Sequence, residues 1–282
     1  MRVLIVPNID NPEAVTAALE LSSWLAAEGH ERVMLAADAD ASGLADLGVA
    51  ADALDTPDLV VALGGDGTIL RAVHATDGVD VPVLGINLGR LGFLSGADSD
   101  EMTGAVGAAL AGEARVDRLA TLEAEVHGEG APPGVYRALN EVYLGRGGPS
   151  VRVVEFAIEI NGRELMRFMC DGLIVATPTG STAYALSMGG PFVAPSVCGN
   201  VLVPVGAHTL AQRPFILGPD DVVDITCPNP ARSEACMAVD GMQMWCMPFR
   251  RVRVRGGRRQ VALVRPHGLD FYDVVRGKFL GR

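Results

Sequence analysis

Lysine is almost missing from this chain of 282 residues: Lys278 is the only one, and every other strongly basic position carries arginine. A G-x-x-x-x-G-K-[ST] phosphate loop and the strand lysine of protein kinases are therefore excluded, because neither context holds a lysine. Cysteine is sparse and unpatterned. The five, Cys170, Cys198, Cys227, Cys236 and Cys246, are odd in number and show no C-x-x-C spacing, which argues for reduced, half-buried thiols rather than a disulfide framework or a zinc site. No apolar run reaches membrane-spanning length, and the opening MRVLIVPNID reads as a strand ending in a proline turn instead of a signal peptide. A cytoplasmic protein with no membrane partner is expected. Positive charge is also in deficit. The formal net charge of -11 sets up a field that repels nucleic acid and anionic lipid, leaving small charged ligands as the class to look for.

The length suits two domains. In residues 1–112, apolar strand-like runs (RVLIV, RVMLA, DLVVAL, VPVLGIN) alternate with helical periodicity, the pattern of a parallel, doubly wound sheet with ligands beyond the carboxyl ends of its strands. Asn11 and Pro12 read as N-cap and first helical residue, with Val15, Ala18, Leu19, Ser22 and Leu25 as the apolar stripe and Gly29 as the stop. A short helix closes at Gly112. From 113 to 267 the period becomes two, with Asn161-Gly162 and Gly256-Gly257 in hairpin-turn positions, so this part reads as antiparallel sheet. The last residues, 268–282, read as an amphipathic helix that either packs on the β-rich part or returns to complete the first.

One turn poses a chemical question. In VVALGGDGTILRAV, a buried strand runs through three glycines into a helix, which exposes backbone N–H groups suited to phosphate. Asp66 in the same turn repels phosphate unless it holds a divalent metal that bridges phosphates or takes a proton from an attacking hydroxyl. Both are phosphoryl-transfer tasks. The ordinary alternative is a hydrogen-bonded turn aspartate among glycines that serve geometry alone.

The order LGGDGTILRAV, LGINLGRLGFL, LNEVYL and CDGLIVATPTGSTAYALSMGGP resembles the NAD kinase family from about residue 58 to the end of the chain. GGDG alone is shared with diacylglycerol-type lipid kinases; TPTGSTAY with Asn-Glu is the specific part. The resemblance implies an α/β, Rossmann-like N-terminal domain and a mostly antiparallel all-β C-terminal domain. It implies ATP, or polyphosphate in some members, as phosphoryl donor to the 2′-hydroxyl of the adenosine ribose of NAD, giving NADP. It also implies a divalent cation, Mg²⁺, accompanying ATP, and a homodimer or homotetramer. Asp66 would be the general base, with Gly64, Gly65, Gly67 and Thr68 shaping the phosphate-facing turn and Arg71 reaching nucleotide phosphates. Asn140, Glu141, Thr179, Thr182, Ala183, Tyr184 and Ser187 would surround NAD, Asp171 would reach ligand across a subunit interface, and Arg152 would supply a basic contact. The protein ligands of the metal are left unassigned.

The bland readings stand beside these. Asn140-Glu141 suits a polar strand end, Thr179 and Ser181 suit helix caps, and Asp171-Gly172 suits a turn. His208 and Arg213 match a family segment taken as partly structural. The cluster Arg250, Arg251, Arg253, Arg255, Arg258 and Arg259 alternates with valines and reads as the solvated face of a hairpin rather than a polyanion patch. Met242 stands where the family often has glutamine, with Gln243 one place later, and no arginine flanks Asp171. A diacylglycerol-type lipid kinase and a non-catalytic NAD(P)-binding sensor are the rival readings.

Overall fold

The apolar run RVLIVP forms β1 (Arg2–Pro7), buried from Val3 to Val6 because helices cover both faces of a parallel sheet. Asn11 then caps α1 (Pro12–Ala27), its side chain accepting the Glu13 N–H at 3.0 Å. The buried stripe of α1 is Ala14, Ala17, Ala18, Leu21, Ser22 and Leu25, which keeps the expected Ala18, Ser22 and Leu25 but not Val15 and Leu19. Leu19 is 41% exposed; small alanines set the close helix–sheet packing, and counting by side-chain size misjudged the face. The chain continues through β2 (Glu31–Leu35), α2 (Ala36–Ala41), β3 (Gly48–Val49), β4 (Leu59–Leu63), α3 (Asp66–Ala75), β5 (Val83–Asn87), β6 (Ala97–Asp98), α4 (Met102–Leu110) and β7 (Arg115–Leu119). This computed structural model describes residues 1–76, 80–89, 92–128, 134–147, 153–207, 213–228, 235–246, 250–266 and 270–281. No helix among them is long and apolar enough to cross a membrane.

Next come β8 (Leu122–His127), β9 (Val135–Ala138), β10 (Glu141–Arg146), β11 (Val154–Ile160), β12 (Arg163–Cys170), β13 (Gly172–Ala176), α5 (Tyr184–Ser187), β14 (Asn200–Val205), β15 (Phe215–Leu217), β16 (Val223–Thr226), β17 (Ala235–Val239), β18 (Met242–Cys246) and β19 (Arg251–Gly256). They form two antiparallel sheets in the orders β15-β14-β13-β10-β17-β18 and β12-β11-β16-β19-β8-β9. Alternate residues of both, Leu122, Val126, Leu144, Phe156, Leu173, Ile225 and Val252 among them, share one core. Asn161 and Gly162 make the β11–β12 hairpin turn with φ of 53° and 74°, the left-handed pair that a two-residue turn requires. Strands β13 and β14 are buried on both faces, since Ala185 and Val193 pack on the side away from that core. Cys170, Cys198 and Cys227 are free, but Cys236 is disulfide-bonded, against the expectation of thiols throughout.

The chain then leaves this unit. β20 (Val261–Arg265) inserts beside β5 in parallel and against β7 in antiparallel, giving the first sheet the order β3-β2-β1-β4-β5-β20-β7, with β6 on β5. α6 (Phe271–Val275) and a π-helical turn, Arg276–Leu280, follow it. Two units result, Met1–Leu119 with Gln260–Arg282, and Ala120–Arg259. β7 thus carries the first unit past residue 112, and its return begins at β20 rather than after residue 267.

Gly256-Gly257 is consequently not a hairpin turn. A Cβ on Gly257 would lie 2.1 Å from Thr121 Oγ1, and one on Gly256 2.9 Å from the Pro219 carbonyl oxygen, so these glycines serve close backbone passage where the chain departs. The arginine cluster is exposed at Arg250, Arg258 and Arg259, as expected of a solvated face, but Arg251, Arg253 and Arg255 are half-buried and paired. Arg251 and Arg253 both bind the buried carboxylate of Asp224, at 2.6 and 2.9 Å, and Arg255 reaches Glu123 and Glu125 at 3.1 Å. Burial alone would raise the Asp224 pKa; hydrogen bonds from Arg253 and Arg251 outweigh it and lower it.

Candidate active site

Within the first unit, β4 delivers the chain into Gly64 and Gly65, and α3 begins at Asp66. Gly64 has φ of 153°, and a Cβ there would lie 2.5 Å from the Thr68 hydroxyl oxygen; glycine lets buried Thr68 close over the turn. At Gly65 and Gly67 an added Cβ meets nothing within 4 Å, so that side of the turn is open. The Asp66 carboxylate is held from a second loop: Phe93 N–H donates to Oδ2 at 2.9 Å and Leu94 N–H to Oδ1 at 3.0 Å. Gly92 lies tight against it, its notional Cβ 2.0 Å from Asp66 Oδ1. The loop is therefore built around the carboxylate.

Arg71 lies one turn further along α3 and binds inside its own unit. Its Nη1 donates to both oxygens of Asp38, at 2.7 and 2.9 Å, and its Nη2 donates to the Pro7 carbonyl at the end of β1. Asp38 is 2% exposed. The guanidinium thus ties α2 and β1 to α3 beside the turn.

In the second unit, Asn140 and Glu141 are both 7% exposed, where simple alternation places one inward and one outward. The cause is a residue that sequence reasoning passed over. Asp240, with φ of 48°, accepts the N–H groups of Leu139 (2.8 Å), Asn140 (2.7 Å) and Glu141 (3.0 Å). The signal in the sequence was Asp240 followed by Gly241, an aspartate-glycine turn pair. The TPTGST segment packs on the same backbone: Thr177 N–H donates to the Asn140 carbonyl at 2.8 Å, and Thr177 Oγ1 donates to the Leu139 carbonyl at 2.6 Å. Gly180 has no room for a side chain, since a Cβ would lie 2.0 Å from the Asn140 carbonyl oxygen.

Thr179 and Gly180 begin a short 3-10 turn, Thr179–Thr182. Ser181 does not cap a helix; its hydroxyl donates to the Pro178 carbonyl at 2.6 Å and accepts the Val193 N–H at 3.0 Å. Thr182 Oγ1 donates to the Thr179 carbonyl at 3.1 Å, and Ala183 is half-buried. Tyr184 is 38% exposed and meets Tyr143 edge to face at 5.5 Å, while Ser187 is exposed on α5. Asp171 is half-buried, with Arg146 Nη1 3.4 Å from its Oδ1, so the missing flanking arginine is replaced from β10. Arg152 and His208 lie outside the described residues. Arg213 is exposed.

Burial, aided by the negative charge of Asp240, pushes the Glu141 carboxyl up to about 8, and its Oε2 has no hydrogen-bond partner among the described residues. The folded state keeps a proton that the unfolded chain loses near 4.5. Glu141 therefore contributes full stability below about pH 4.5, and loses it as pH rises to about 8. Glu141→Gln mimics the protonated form, so the unfolding free energy of wild type relative to this variant should fall across that window and level off above it. Urea titrations at several pH values check this; a constant difference contradicts it.

Comparison with known proteins agrees with both halves. The model of the ATP-NAD kinase N-terminal domain matches residues 3–114, and that of the ATP-NAD kinase C-terminal domain matches residues 139–266. An NAD kinase of Symbiobacterium thermophilum is 37% identical over 279 residues, covering 98% of each chain. An NAD kinase of Leifsonia xyli is 36% identical over 289 residues, covering 98% of this chain and 93% of its own. Among solved structures, yeast NADH kinase complexed with NADH superposes with a TM-score of 0.89 at 26% identity, covering 100% of this chain and 87% of the other.

Proposed function

Because this chain belongs to the NAD kinase family and phosphorylates NAD from ATP, we propose that Asp66 is the general base of the reaction. The observation that carries this is the carboxylate's own geometry. Each oxygen accepts one backbone N–H, from Phe93 or Leu94, and a carboxylate oxygen has a second lone-pair site free for a hydroxyl. The 2′-oxygen of the adenosine ribose attacks the γ-phosphorus of ATP, the bond to the bridging oxygen breaks, ADP leaves, and the hydroxyl proton passes to Asp66. The first amides of α3, which have no intrahelical acceptor, face developing phosphate charge.

The other residues bind and orient. Asn140, both donor and acceptor, suits the adenine edge, and the exposed Tyr184 ring suits stacking. Thr179, Thr182, Ala183, Ser187, Asp171 and Arg152 complete the dinucleotide contacts, and Gly64, Gly65, Gly67 and Thr68 shape the phosphate turn. Arg71 acts through the Asp38 pair that braces it. Mg²⁺ would enter with ATP, where it would neutralise charge on the transferring phosphoryl group.

The protein works where NAD and ATP are held, in the cytoplasm, as a homodimer or homotetramer. Exposed Leu165 and Met169 on the edge strand β12 offer apolar surface to a second copy. The test offers purified protein Mg·ATP with NAD, NADH or diacylglycerol, with light scattering for assembly. NADP formation without lipid phosphorylation is expected. Thermal stabilisation by NAD with no NADP formed would favour a binding sensor instead.

A further inference from the structure

Arg265 ends β20, the strand that returns to the first sheet after the whole second unit has been built. Its side chain is 12% exposed. Nη1 donates to the Ser95 carbonyl and Nη2 to the Phe93 carbonyl at 2.6 Å, while Nε stands 3.6 Å from Asp117 Oδ2 on β7. The Phe93 carbonyl shares its planar peptide unit with the Leu94 N–H, and the Ser95 carbonyl follows in the same loop, so both adjoin the amides that hold Asp66. We propose that Arg265 is a positioning residue for phosphoryl transfer: its planar fork fixes the carbonyls of residues 93 and 95, and thereby aims the two N–H groups that set the orientation of Asp66.

A guanidinium does this where an ammonium does not, because two donors in one plane meet two acceptors at a set spacing. Burial pushes the Arg265 pKa down, and the charges of Asp117 and Asp66 oppose that shift, so the guanidinium and the carboxylate share one electrostatic environment. The same loop is also braced at the Phe93 ring. Phe93 packs at 6.1 Å from both Phe271 and Phe279, and Lys278 Nζ lies 4.8 Å over the Phe93 ring. The C-terminal segment, with the chain's only lysine, thus completes the support of Asp66.

This inference rests on Asp66 as the base, and a double-mutant cycle separates the two claims. NADP formation is measured in the steady state over a range of NAD and Mg·ATP concentrations for wild type, Arg265→Met, Asp66→Asn and the double variant. Arg265→Met should slow turnover by about ten- to a hundredfold, with KM for both substrates within about threefold. On the Asp66→Asn background the same change should cost less than about threefold, because the group it acts through is gone. Arg265→Lys, which keeps the charge and loses the fork, should fall between, and it serves if Arg265→Met does not fold. An equal loss in both backgrounds, no loss at all, or failure of both Arg265 variants to fold overturns the positioning role while leaving the base untouched. An Asp66→Asn enzyme with near wild-type turnover overturns the base, and the inference with it.

Discussion

Asp66→Asn should lower kcat for NADP formation at least about a hundredfold, the lower end of a general-base contribution, while NAD and ATP still bind. The substitution is nearly isosteric, so the turn keeps its shape, but two properties change together. An amide at neutral pH takes no proton from the ribose hydroxyl. It also has only one acceptor oxygen, whereas the loop presents two donors, Phe93 N–H at 2.9 Å and Leu94 N–H at 3.0 Å; one of them must face an NH₂ group. The amide therefore rotates or the loop shifts, and the chemical step bears the cost. Because this interaction is made in the transition state rather than with bound NAD, KM for NAD should change by less than about threefold. Steady-state kinetics and calorimetric NAD titration check the two halves separately.

The largest effect on stability is expected at Asp240. Asp240→Ala leaves three buried N–H groups, those of Leu139, Asn140 and Glu141, without the acceptor they share. Each unsatisfied buried donor costs about 1–3 kcal/mol, so roughly 3–9 kcal/mol is expected, a large part of the 5–15 kcal/mol that holds a typical domain together. The backbone adds to this, since φ at Asp240 is 48°, a region Asp and Asn tolerate better than Ala. Asp240→Asn should accordingly lose less, keeping the turn and one acceptor. Urea unfolding of both variants checks the order; a loss below about 1 kcal/mol for Asp240→Ala would show that water or other groups replace the carboxylate.

What the sequence made legible is what neighbouring residues decide. The strand, glycine turn and helix around Asp66 lie consecutively, and the Asn161-Gly162 hairpin needs only two residues of left-handed backbone. Two of the omissions come from distance along the chain. Asp240 reaches Leu139 across 101 residues and Arg265 reaches Phe93 across 172, so no local pattern announces either contact. Gly256-Gly257 has hairpin chemistry, yet the runs on either side of it join different sheets. RVRVR alternates as a strand with one polar face, and VALV does not, because β20 is buried on both faces of a largely parallel sheet. That difference in periodicity was present and was overridden by the turn signal. Arg71 was read from proximity to a phosphate turn, while its partner, Asp38, sits in a stretch of alanine and aspartate with no apolar period to mark it as buried.

The most direct test of the account is the distance from the Asp66 carboxylate to the 2′-oxygen of the adenosine ribose in a crystal of this protein with NAD and a non-hydrolysable ATP analogue. The account predicts about 2.6–3.2 Å, directly or through one water, with the Phe93 and Leu94 amides still on the carboxylate. A 2′-hydroxyl that instead meets another base, with Asp66 turned away from it, would contradict the assignment.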